Sequence, residues 1–235
     1  MASQRGQSEP PPHPRSGAAH ETETSHLHAV GASPGPLPTS SIGGWAVISV
    51  EHLPDYALSG RSFDLVFAVR QHGVEPLSGL EPKVDVSSGG FRKSVAATPT
   101  GREGVYRASL EIPNPGDWTI TINSGFGPSR VTLVPITAVQ AAGALPVLPA
   151  AERGRRLFVA KGCVTCHTHG EVPTEKSWNM GPDLTGKRYP EELLRQRLTD
   201  PKSVMPEAKM PNPELKSAEI AALTAFINSE RQAGR

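Results

Sequence analysis

Cysteine is nearly absent from this 235-residue chain, which has two, Cys163 and Cys166. That excludes a fold stapled by several disulfides, as in small secreted domains. Charges nearly cancel, with 24 Lys and Arg against 23 Asp and Glu, and no apolar run is long enough to cross a bilayer. Neither a nucleic-acid partner nor a transmembrane segment is therefore expected. Bulky apolar residues are scarcest in residues 1–44, where Pro, Ser, Gly and His dominate. Such a segment cannot bury enough surface to offset its chain entropy and is expected to be disordered, with His13, His20, His26 and His28 idle.

The two cysteines stand three positions apart and an imidazole follows at once, giving Cys163-Val164-Thr165-Cys166-His167. This is the attachment motif of c-type haem. Each thiol adds across one haem vinyl group to form a thioether, and His167 supplies a neutral ring nitrogen as proximal iron ligand. A dithiol redox pair would leave His167 without a role and should adjoin a βαβ unit, of which there is no sign. Structural zinc on Cys163, Cys166, His167 and His169 would draw every ligand from one compressed run, which cannot easily close a tetrahedron.

Upstream of the motif, Leu157 and Phe158 place apolar bulk on one face of a helix-compatible stretch. Downstream come Gly181-Pro182-Asp183-Leu184-Thr185-Gly186, then Lys209-Met210-Pro211, then Ile220, Leu223, Phe226 and Ile227 at helical spacing. In this order, residues 151–235 resemble a class I cytochrome c, which implies an all-α fold around one covalent haem c. The resemblance implies Met210 as distal ligand, Pro182 as the carbonyl partner of the His167 ring, and Leu184, Arg188 and Tyr189 in the haem pocket, with Arg188-Tyr189 near a propionate. It also implies a crossing of the first and last helices at Gly154, Phe158, Leu223 and Phe226. Gly162 is an extra residue relative to mitochondrial forms, read as harmless. Met205 also precedes a proline and is the alternative distal ligand, with Met180 as gap-filler; His169 is expected at the surface.

Iron held by His167 and a methionine has no position left for substrate, so the expected chemistry is one-electron transfer without an acid, base or nucleophile. The alternatives are a haem enzyme or gas sensor whose sixth ligand is labile, and a copper-handling module with an accessory haem. The expected partners are redox proteins or a membrane electron-transport complex. Residues 151–235 carry 14 Lys and Arg against 11 Asp and Glu, and Lys161, Lys187, Arg188, Lys202 and Lys209 form a candidate docking rim.

Residues 45–137 follow a different period. Phe63, Leu65, Phe67 and Val69 alternate with polar or small residues, as do Tyr106, Ala108, Leu110 and Ile112, then Trp118, Ile120 and Ile122. With Trp45–Val50, Val84–Ser87, Phe91–Ala97 and Val131–Ile136 they make about seven strands, which suggests an immunoglobulin-like sandwich. The run Gly104-Val105-Tyr106 and Pro113-Asn114-Pro115-Gly116-Asp117-Trp118 resembles the YtkA-like sandwich domains of exported bacterial proteins, some of which handle copper. With no Cys or Met here and only His52 and His72, no metal is expected. Residues 138–150, rich in Ala and Pro, read as a semi-extended tether that gives the haem domain reach. Haem attachment places the protein in the periplasm or another extracytoplasmic compartment, although residues 1–44 hold no apolar stretch of signal-peptide length.

Overall fold

Period-two burial builds the first half of the protein. In the computed structural model, which describes residues 45–140, 145–172 and 180–229, eleven strands form two sheets. The first has the order β1-β3-β8-β7, with β4 paired to β3. Its strands are β1 (Ala46–Val50), β3 (Ser62–Gln71), β4 (Glu75–Pro76), β7 (Thr98–Pro99) and β8 (Val105–Glu111). The second has the order β2-β11-β9-β5-β6, with β10 paired to β9. It contains β2 (Ala57–Leu58), β5 (Lys83–Ser88), β6 (Phe91–Ala96), β9 (Gly116–Asn123), β10 (Arg130–Thr132) and β11 (Ile136–Val139).

The alternating residues meet between the sheets. Leu65, Phe67, Val69, Leu110, Ile112 and Ile122 are fully buried, so each strand commits one face to a shared core. Tyr106 is buried as well, and its hydroxyl donates to Leu77 O at 2.7 Å while accepting from Leu80 N. That pairing satisfies the one polar atom which burial would otherwise penalise.

The single strand expected over Val131–Ile136 is two. Pro135 has no amide hydrogen for the ladder, so β10 pairs Thr132 with Thr121 and β11 resumes at Ile136 opposite Trp118. Three residues thus face two, which is a bulge. β11 then runs to Val139, two residues into the expected tether, because Ala138 and Val139 pair in parallel with Ala57 and Leu58.

The second half is helical: α1 (Ala150–Ala160), a 3-10 turn at Cys163–Thr165, α2 (Glu191–Thr199), α3 (Pro201–Val204) and α4 (Ser217–Ile227). α1 crosses α4 at Gly154, where a Cβ would strike the Ala222 carbonyl oxygen and come within 2.6 Å of Phe226 Cβ. Only glycine lets the two backbones approach this closely. Phe158 packs against Phe226 beside the crossing, with ring centroids 5.5 Å apart and the planes tilted by 57°.

Ser40–Arg235 cluster as one compact unit, and side chains of α1 bond the segment that follows β1. Arg153 grips the Asp55 carboxylate with two nitrogens, and Arg156 donates to Asp55 O at 2.8 Å. Lys161 donates to Glu51 O at 2.9 Å. These contacts hold the start and end of α1 on the sandwich. Residues 1–44, with the disorder expected there, lie outside the described residues. No described helix is long and apolar enough to cross a membrane.

Candidate functional site

The sequence Lys161-Gly162-Cys163 ends α1 abruptly. Gly162 adopts φ +79°, a left-handed conformation that closes the helix and opens the next turn. The amides of Cys166 and His167 then both donate to Cys163 O, at 3.1 and 2.9 Å. This tight turn brings Cys163, Cys166 and His167 into one short segment. Burial pushes the Cys163 thiol up to about 12 and raises that of Cys166. Surroundings that resist a thiolate suit an uncharged thioether.

A second segment backs the imidazole. Gly181 N donates to Cys166 O at 2.9 Å and Leu184 N to Thr168 O at 3.0 Å, pinning residues 181–184 beside the turn. His167 Nδ1 lies 3.0 Å from Pro182 O. A carbonyl can only accept, so Nδ1 carries the hydrogen and Nε2 keeps its lone pair. Hydrogen bonds from the Thr185 side chain and amide, and from Thr168, hold Asp183 down to about 2. The same loop ends where Tyr189 and Asn228 bond reciprocally, Tyr189 N to Asn228 Oδ1 and Asn228 Nδ2 to Tyr189 O, both at 2.9 Å.

Of the other pocket candidates, Leu184 is buried, Tyr189 half-buried and Arg188 exposed. Met210 is half-buried and packs against the apolar core, whereas Met205 is 48% and Met180 59% exposed. His169 is corrected from surface to core: it is 4% exposed, with its ring centroid 4.2 Å from Phe226 and 6.0 Å from Phe158. Among the described residues no three His, Cys, Asp or Glu side chains group as metal ligands.

The donor set is therefore two thiols and one imidazole on a single turn, with a glycine–proline backstop. Residues 151–230 match the family model described as Cytochrome c. The C-terminal third is a cytochrome c domain, and that family carries covalent haem c and transfers electrons. The residues present fit such a group, since the imidazole is oriented, its tautomer is fixed, and the thiols sit where charge is disfavoured.

No curated protein matches the chain. Among solved structures, the Lin-41 filamin domain is 20% identical over 41% of this chain and 93% of its own, with a TM-score of 0.32. Domains 4 and 5 of the S-layer protein SbsC are 20% identical over 41% of this chain and 53% of theirs, with a TM-score of 0.30. MtrC from Shewanella baltica OS185 is 12% identical over 57% of this chain and 31% of its own, with a TM-score of 0.25.

Besides His169, the cytochrome c domain departs from sequence expectation at two further positions. Lys161 is not a rim residue: its side chain is 7% exposed and bonds Glu219 at 2.8 Å as well as Glu51 O. Lys187, Arg188, Lys202 and Lys209 are exposed. Gly162 is more than a harmless insertion, because a Cβ there would run into Val47 Cγ1 and stand 2.9 Å from Ile48 O.

Proposed function

We propose that the chain transfers single electrons through one covalently attached haem c, with His167 and Met210 as iron ligands. We place it in an extracytoplasmic compartment, as a haem-bearing subunit or carrier of a membrane-associated electron-transport chain. The bound group supplies the one-electron ferric/ferrous couple.

The observation that carries this reading is the His167 backstop. Pro182 O takes the Nδ1 hydrogen, which orients the ring, leaves Nε2 as the ligating atom and increases its basicity. Cys163 and Cys166 anchor the macrocycle on the same turn. Leu184 and Tyr189 exclude water, and exposed Arg188 is the cation for a propionate. Met210 is favoured over Met205 because it packs against the core while Met205 lies in solvent. Met210 would supply a thioether sulfur, which would favour the lower oxidation state of the iron. The sandwich, read as immunoglobulin-like, serves as the scaffold by which the subunit docks.

Optical spectroscopy of the ferric holoprotein tests the ligand pair. The far-red sulfur-to-iron band is expected in the wild type and in Met205→Ala, and is expected to vanish in Met210→Ala. The opposite pattern in the two variants overturns the assignment.

A further inference from the structure

We propose that the sandwich positions the distal methionine: the turn between β3 and β4, at Gly73, and the side chain of Arg70 hold the Met210–Pro211 loop in place. This inference rests on the His167/Met210 reading above. The loop runs Met210-Pro211-Asn212-Pro213-Glu214, and its two prolines have no amide hydrogen with which to fix it. Glu214 adopts φ +51°, a conformation a non-glycine residue keeps only when its surroundings enforce it. Within the loop Glu214 N donates to Asn212 Oδ1 at 2.9 Å, and two contacts from the sandwich hold the loop from outside.

The first contact is steric. Gly73 has φ +78°, and a Cβ added to it would stand 2.9 Å from Pro211 Cγ and 3.3 Å from Val47 Cγ2. The Pro211 ring therefore rests on bare backbone, one residue from Met210. The second is polar: Arg70 Nη2 lies 3.4 Å from both carboxylate oxygens of Glu214. Val47 joins this contact to the other ligand-bearing segment, since its Cγ1 abuts Gly162, next to Cys163. One sandwich side chain thus abuts both Gly162, beside the attachment turn, and Gly73, on which the Pro211 ring rests. Gly73, Arg70 and Val47 are positioning residues that act through Pro211 and Gly162 and touch no iron ligand directly in this role.

Competition by imidazole for the ferric iron of the full-length holoprotein reads the strength of the methionine bond. Gly73→Ala forces Pro211 outward and is expected to raise imidazole affinity about fivefold or more, the low end of coupling between distinct sites, and to weaken the far-red band. Gly79→Ala is the matched control, because Gly79 has φ +74° with nothing within 4 Å of its Cβ position. It carries the same backbone strain and is expected to bind imidazole as the wild type does. Equal imidazole affinity in the two variants overturns the proposal.

Should Gly73→Ala not accumulate as holoprotein, Arg70→Glu carries the test. It is expected to raise imidazole affinity about threefold, as loss of an exposed ion pair can, and the double variant Arg70→Glu/Glu214→Arg is expected to restore it. Unchanged affinity in Arg70→Glu overturns the proposal. A wild-type protein without the far-red band, or a band that survives Met210→Ala, sinks the ligand assignment instead, so the two failures are told apart.

Discussion

Gly181 lies flat against the imidazole of His167: a Cβ on Gly181 would come within 2.5 Å of Nδ1 and 2.8 Å of Nε2. Gly181 closes one side of the ring, next to its bond with Pro182 O. Gly181→Ala is expected to push the ring off Pro182, lower haem content in the purified protein and destabilise it by about 1–3 kcal/mol, as overpacking does. Denaturant unfolding and the haem absorbance per mole of purified protein read both effects. Wild-type values in each would show that the ring accommodates a methyl group.

Gly162→Ala tests the seam between the sandwich and the cytochrome c domain. The new methyl meets Val47 Cγ1 in a left-handed backbone, and a loss of about 1–3 kcal/mol is expected. Val47→Ala makes room, so the double variant should recover part of that loss in thermal unfolding. Strict additivity of the two substitutions would argue against the contact.

Lys161→Met is expected to cost about 1–3 kcal/mol, because it leaves the half-buried Glu219 carboxylate with the Lys216 amide but without its cation. Lys161 and Glu219 are 7% and 14% exposed, so added salt should change the stability of the wild type little at this site. Lys161→Met/Glu219→Met, which removes both charges, should regain most of the loss in urea titrations.

Acid sensitivity should trace to Glu152. Burial raises its carboxyl, but hydrogen bonds from Arg155 and Arg156 outweigh that and leave it below its ordinary 4.5. A carboxyl depressed in the folded state adds stability that is complete above 4.5 and lost as pH falls through the lower folded value. The wild type should therefore exceed Glu152→Gln in stability at neutral pH, with the gap closing in acid. A gap that stays constant over that window would remove Glu152 as the source.

Legibility in the sequence followed the distance over which each contact acts. Leu65, Phe67 and Val69 announced β3 because alternation is local, and Gly154 with Phe226 was readable through the helix-crossing pattern. Pro135 signalled its bulge by rule, yet the apolar run from Val131 to Ile136 masked it as one strand. His169 looked superficial because Phe158 and Phe226, which enclose it, lie far along the chain. Lys161 resembled a solvated cation for the same reason: its partners are Glu51 and Glu219, and neither is near in sequence. Gly162 could be recognised as a departure, but its cause, Val47, belongs to the other half of the protein.

Among the described residues β1 lies at the end of its sheet, paired with β3 on one side. Lys161 bonds the Glu51 carbonyl just past its end and Gly162 presses on the Ile48 carbonyl, so the haem-bearing third caps a border that would otherwise be open to another chain's strand. Fusion of the two parts thereby guards against aggregation, and a sandwich severed after Val139 would bare that border and tend to self-associate.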